Sequence, residues 1–140
     1  MASSTWERAG DVAPSCNSCP PTYATATRGA KRLSIDFRFA SGTTQLDTRG
    51  QRDLDRLITY VRALRGPKVT LLGFSDIAGD QDTNVRLSRE RARKIADLLA
   101  ARGIELGTVD GFGGVMPIAN NDTAEHRQRN RRVEVWVSAL

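Results

Sequence analysis

The chain carries one histidine, His126, and two cysteines in 140 residues, both of the latter in the segment Cys16-Asn-Ser-Cys19. A zinc centre built from cysteine and histidine takes about four ligands, so neither a metal nor another cofactor is expected. His126 stands among arginines, and no Ser–His or Cys–His pairing is recognisable, so the chain reads as a non-enzyme. Aromatic residues make up only 6% of the chain and form no base-stacking platform. No apolar run of about eighteen residues exists to span a membrane. No basic stretch followed by an apolar one opens the chain, so no signal peptide is visible.

What is present is basic. Lys and Arg number 21 against 16 Asp and Glu, a formal net charge of +5. Such a balance favours anionic surroundings such as nucleic acid, anionic lipid or the cell-wall polymer. Nucleic acid is the weaker option, because the basic residues on the outer face of the second long helix alternate with Glu90 and Asp97. The Cys-x-x-Cys pair has three readings: a redox site, half a zinc site or a small disulfide. With one histidine and no strand–helix frame around it, a Cys16–Cys19 disulfide in an oxidising compartment is the favoured one. A lipid anchor at Cys16 is not, since Ala13-Pro-Ser lacks the apolar residue expected before a lipoprotein cysteine.

The chain divides near residue 30. Residues 1–30, rich in Ala, Ser, Thr and Pro without a sustained period, read as a flexible tail or linker. From residue 31 the patterns alternate. Leu33–Phe39 has period two, a half-buried strand. Asp47 can cap a helix whose Leu54, Leu57, Ile58, Val61 and Leu64 share one face, ended by Gly66-Pro67. Val69–Phe74 reads as a buried strand in which Gly73 admits a close neighbour. A long helix then ends at Arg102-Gly103, Thr108–Phe112 forms a short strand, and one helical turn is expected around Thr123–Arg129. Arg132–Val137 alternates and closes the sheet. The fold class is α+β: a βαβαβ-β two-layer sandwich of residues 31–140, with a mixed four-stranded sheet and helices on one face.

The chemistry concentrates after the second of these strands. Asp76 is delivered into a glycine-containing loop, and the helix that follows carries Leu87, Ala92, Ile95, Leu98 and Leu99 within an arc of roughly 140°. Arg91 and Asn84 project from the middle of that apolar arc. A half-buried guanidinium needs an anionic or carbonyl partner, and Asp76 is the obvious one. The pair is either a structural salt bridge or two halves of a pocket for a zwitterion, and Arg91 could alternatively extend its head to solvent.

Asp76, Gly79, Asn84, Leu87-Ser88, Arg91-Ala92, Pro117, Asn121, Arg127 and Asn130-Arg131-Arg132-Val133-Glu134 resemble, in order and spacing, the OmpA C-terminal-like family. These are the peptidoglycan-binding domains of OmpA, Pal and MotB, and the resemblance runs from about Leu33 to Val137. It implies non-covalent binding of peptidoglycan stem peptides through diaminopimelate, in the periplasm of a Gram-negative cell, anchoring an envelope protein to the wall. It implies that Asp76 accepts from the ligand ammonium and Arg91 clamps its carboxylate. Asn84, Ser75, Gly79 and Leu87 would complete the cradle with the amides of the 77–83 loop, and Asn130 and Arg131 would buttress or touch it. The closing Trp136-Val137 resembles members fused behind a periplasmic solute-binding domain, so a fused or neighbouring envelope domain is an expected partner and the chain is expected to be a fragment. The sequence departs from the family where an acid or amide would line the site, which here reads Ala40-Ser41, and where His-Thr would precede the key Asp, which here reads Phe74-Ser75. The alternative reading is therefore an OmpA-like scaffold whose pocket has decayed into a protein-interaction surface.

Overall fold

The computed structural model describes residues 7–12, 19–39 and 42–138. In chain order the elements are β1 (Glu7–Val12), α1 (Pro21–Thr27), β2 (Lys31–Arg38), α2 (Thr48–Arg62), β3 (Lys68–Gly73), α3 (Gln81–Ala100), β4 (Leu106–Gly111), α4 (Ala124–Asn130) and β5 (Arg132–Ser138). The sheet runs β1-β2-β5-β3-β4. Only the β3–β4 pair is parallel, as the intervening α3 crossover requires; the others are antiparallel. The four expected strands thus form the expected mixed sheet.

The two long helices lie on one face of it. Asp47 caps α2 by accepting from the Gly50 amide at 2.7 Å, and Leu54, Leu57, Ile58 and Val61 point inward. They meet Leu33, Ile35 and Phe37 of β2, Val69 and Leu71 of β3, and Val133, Val135 and Val137 of β5. The period-two pattern of these strands is what places all eight on the same side.

The centre of the buried stripe on α3 differs from the expected one. Ser88, Ala92, Ile95, Ala96 and Leu99 are buried, together with Asn84 and Arg91, while Leu87 and Leu98 are only half-buried. The cause is a close approach of backbones. A Cβ on Gly73 would lie 2.0 Å from the Ser88 carbonyl oxygen, and one on Gly111 would lie 2.2 Å from the Arg89 amide nitrogen. Small residues on the helix and glycines on the strands let α3 sink onto β3 and β4, which turns the larger leucines toward its flanks.

The segment expected to be a tail contributes structure. β1 adds a fifth strand at the edge of β2, and α1 covers the sheet face that α2 and α3 leave open. There Tyr23 packs edge-on against Phe74, Phe112 and Trp136, with ring centroids 5.9–6.0 Å apart. Ala30, Leu72 and Trp136 complete this second core, with Cys19 and Met116 at its margin. Cys19 is disulfide-bonded; Cys16 lies outside the described residues, as do Ala40 and Ser41. β5 does not close the sheet at an edge but sits in its middle, buried on both faces. Its polar alternation, Arg132 and Glu134, therefore points under α1 instead of into solvent.

The close approach at Gly73 gives the first expectation. Gly73→Ala forces α3 off the sheet and costs about 1–3 kcal/mol of stability, the usual penalty of overpacking. Chemical denaturation checks it, and an unchanged midpoint would show that the helix is not seated on that glycine.

Candidate functional site

β3 ends at Gly73, and the chain turns across the rim of the sheet through Phe74, Ser75 and Asp76. The pairing of β3 with β5 fixes what lies beside this turn. Gly73 is opposite Val133, so two residues further on Ser75 and Asp76 come level with Arg131. Asp76, 7% exposed, accepts from Arg131 Nη1 at 2.6 Å through Oδ2 and from the Ala78 amide at 2.9 Å through Oδ1. The Asp76 partner expected from the sequence was Arg91; the hydrogen-bonded partner is Arg131. Register decides this, because Arg131 leads straight into the strand that neighbours Asp76, whereas Arg91 is nearly three turns along α3.

Arg91 is nevertheless part of the cluster. It is fully buried, donates from Nε to the Thr43 carbonyl at 2.8 Å and stacks over the Phe39 ring at 5.3 Å. Burial pushes its guanidinium down to about 10, and the positive charge of Arg131 adds to the shift, while Asp76 opposes it. It is still a cation at neutral pH. Arg131 also donates from Nε to the Phe39 carbonyl at 3.1 Å, so both guanidiniums are pinned to the end of β2. The result is one carboxylate beside two guanidiniums in a largely dehydrated corner, a local excess of one positive charge.

The remaining expected residues divide into three groups. Asn84 shares the corner but spends its amide donors on the loop, reaching the Ala78 carbonyl at 2.8 Å and the Asp76 carbonyl at 3.4 Å. Ser75 is buried and donates to the Asp76 carbonyl at 2.9 Å. Gly79 takes a φ of +85°, which the loop needs to turn into α3. These three shape the loop that carries Asp76. The amides expected to cradle a carboxylate are partly spent as well: Ala78 N serves Asp76, and Thr83 N serves the capping Asp80 side chain at 2.9 Å. Leu87, half-buried on the flank of α3, has no polar group to add.

Asn130 is fully buried behind the site, and its side chain makes four hydrogen bonds. Its oxygen accepts from the amides of Ile118 and Ala119, at 2.8 and 3.0 Å. Its nitrogen donates to the Ala119 carbonyl and to Asn121 Oδ1, at 2.9 and 3.0 Å. It holds the β4–α4 loop, which returns to the site at Gly113, whose carbonyl accepts from the Ser75 amide at 2.8 Å. A Cβ on Gly114 would sit 3.0 Å from the Asp76 carbonyl, so this loop forms one wall of the corner. Phe74 faces the other way: its ring lies in the core under α1, with the Arg132 guanidinium 4.1 Å from its centroid. The aromatic that replaces the family's histidine is therefore not a wall of the site.

Phe39 and Thr43 were not singled out in the sequence. Thr43 acts through its backbone carbonyl and Phe39 through both its carbonyl and its ring, and a carbonyl leaves no compositional mark. A groove of about 380 Å3 opens along β2 and the start of α2, lined by Asp36, Arg38, Asp47, Arg49, Asp53 and others. It does not coincide with the charge cluster. We take the cluster as the site, because the groove's charges pair with neighbours that water still reaches, as half-buried Asp53 does with exposed Arg49 at 3.9 Å, whereas buried charges demand partners. His126 lies in a surface pair with Asp122. Among the described residues no group of three or more His, Cys, Asp or Glu side chains is placed to hold a metal.

The chain is 42% identical over 88 residues to the peptidoglycan-binding protein ArfA of Mycobacterium tuberculosis, covering 61% of this chain and 27% of ArfA. It is 33% identical over 131 residues to outer membrane protein A of Bordetella avium, covering 89% of this chain and 68% of the relative. Among solved structures it resembles the cell wall anchor of the type VI secretion system from Pseudomonas aeruginosa, with a TM-score of 0.65 and 29% identity over 80% of this chain and 89% of that one. The sequence signature of the OmpA family spans residues 38–131. That interval holds Asp76, Arg91, Asn130 and Arg131 together, and the chain belongs to the OmpA family.

Proposed function

We propose that this domain binds peptidoglycan non-covalently, through the diaminopimelate residue of the stem peptide, and so anchors an envelope protein to the cell wall. The observation that carries the reading is the corner itself: one carboxylate and two guanidiniums, pinned and largely dehydrated. Diaminopimelate in a stem peptide presents an ammonium and a carboxylate on one carbon. Asp76 accepts from the ammonium, and Arg91 forks the carboxylate, with Arg131 close enough to share it. The second guanidinium, beyond the one paired with Asp76, gives the ligand carboxylate a counter-charge while Asp76 takes the ammonium. No bond is made or broken, so binding and orientation are the whole task. The names of the relatives support a wall-binding role. They come from Mycobacterium as well as from Bordetella and Pseudomonas, so likeness alone does not select the Gram-negative periplasm, which stays part of the proposal. The host protein and any fused domain likewise belong to the proposal, since the chain spans about a quarter of ArfA.

Co-sedimentation with diaminopimelate-containing sacculi tests the reading. The parent should pellet with them, while folded Asp76→Ala and Arg91→Ala proteins should bind roughly 10- to 100-fold more weakly, the worth of a charge-assisted contact. Failure of the parent to pellet would favour the decayed-pocket scaffold.

A second expectation concerns stability. The folded state disfavours the charge on Arg91, so at pH below about 10 that charge lowers stability, and the penalty lifts as pH rises through that value. Arg91→Met keeps the apolar stem and removes the charge. The unliganded variant should melt at or above the temperature of the parent yet gain nothing from ligand, while the parent gains about 2.7 kcal/mol at a hundredfold excess over Kd. A variant that melts well below the parent would mark Arg91 as a structural ion instead.

A further inference from the structure

On the sheet face opposite the long helices, a chain of hydrogen bonds runs from α1 to the wall of the site. Tyr23 donates its hydroxyl to Glu134 Oε1 at 3.0 Å, and Trp136 Nε1 donates to the same oxygen at 3.1 Å. Glu134 Oε2 accepts from Arg132 Nε and Nη2 at 2.9 and 2.7 Å. Arg132 Nη2 also donates to the Met116 carbonyl at 3.1 Å, and Nη1 to the Asn130 carbonyl at 3.4 Å. Arg132 and Glu134 are each 1% exposed and Tyr23 is 5% exposed, so these bonds form in a low-dielectric setting where each is worth more than at the surface. Burial first, and the nearby Glu134 carboxylate second, raise the Tyr23 phenol well above its ordinary range. It is a proton donor at any physiological pH.

The far end of the chain is backbone under strain. Met116 has a φ of +56°, the one non-glycine positive φ among the described residues, a conformation that costs of order 1 kcal/mol or more. It lies in the β4–α4 loop, two residues past Gly114, which packs against the Asp76 carbonyl. Asn130 holds the loop from one side at Ile118 and Ala119, and Arg132 holds it from the other at Met116.

We propose that Tyr23 and Arg132 are positioning residues for the ligand site. Docked α1 locks Glu134, Glu134 orients Arg132, and Arg132 keeps Met116 in its strained conformation so that the Gly113–Ile118 wall stands against Asp76. The proposal rests on the peptidoglycan reading for the identity of the ligand and goes beyond it in tying the affinity of the site to an element on the opposite face of the sheet. By linkage, ligand binding in turn stabilises the docking of α1.

Tyr23→Phe is the variant of choice, because it keeps the ring against Phe74, Phe112 and Trp136 and removes one hydroxyl. Two readouts are taken: affinity for a diaminopimelate-containing muropeptide, and hydrogen exchange of the unliganded protein at the amides of 113–118. The expected result is affinity reduced roughly three- to tenfold, the net worth of one hydrogen bond, with faster exchange confined to 113–118 and α1. Unchanged affinity and exchange would overturn the proposal. So would faster exchange spread evenly over β2, β3 and β5, which would mean that the hydroxyl serves general stability. If the parent itself fails to bind, the peptidoglycan reading has failed, and the exchange pattern alone decides whether Tyr23 holds the loop. Arg132→Lys gives a second check: it keeps the charge but cannot reach Glu134 and Met116 together, and it should loosen 113–118 at least as much.

Discussion

A buried guanidinium must be given acceptors, and this fold is arranged around that requirement. Arg91 and Arg131 on the rim, and Arg132 beneath α1, all lie largely out of water. Unpaired, each would cost several kcal/mol. The acceptors that stabilise them are mostly groups fixed by other elements: the carbonyls of Phe39 and Thr43 after β2, the carboxylate of Asp76 after β3, the carbonyl of Met116 in the β4–α4 loop, and Glu134 on β5 itself. The arginines thus tie the ends of separate elements to one another. They also set the geometry of the corner more rigidly than apolar packing alone would, because a guanidinium fork accepts only certain directions.

The two faces of β5 divide the labour within five consecutive residues. Asn130 and Arg131 end α4 and serve the loop and Asp76. Arg132 and Glu134 point under α1, and Val133 between them enters the main core. A motif that reads in one dimension as a basic cluster is in three dimensions a loop brace, a site residue and a buried ion pair. Each has a different partner: the end of α4 sets Asn130 and Arg131 apart, and strand alternation separates Arg132 and Glu134 from Val133.

Much of this was legible in the sequence. The capping Asp47, the close approach at Gly73 and the intrusion of Arg91 and Asn84 into an apolar arc follow from spacing and from elementary geometry. Two features were not. The partner of Asp76 depends on which strand lies beside β3, a long-range fact that periodicity does not carry; once β5 is known to lie there in its register, Arg131 falls level with Asp76. The role of α1 was hidden for another reason. Seven residues of Pro, Thr, Ala and Tyr have too little apolar surface to announce a helix, and α1 forms because Tyr23 finds a ready-made aromatic nest and a buried carboxylate. Tertiary contacts created what local propensity did not. The polar alternation of β5 misled for the same reason, since the face that would meet water is covered by an element the pattern did not show.

The order of strands has a consequence for how the molecule is made. β5 is the last of the five strands in sequence, yet it is the one that joins β2 to β3. A nascent chain that has emerged only as far as α4 holds β1 and β2 in one ladder and β3 and β4 in another, with the facing edges of β2 and β3 unpaired. Neither Asp76 nor the Phe39 carbonyl then has its guanidinium, because Arg131 arrives with β5. Folding of this domain is therefore deferred until β5 is available, with contacts of long sequence separation formed late. Until that moment the edges flanking the missing strand are open to any other extended segment.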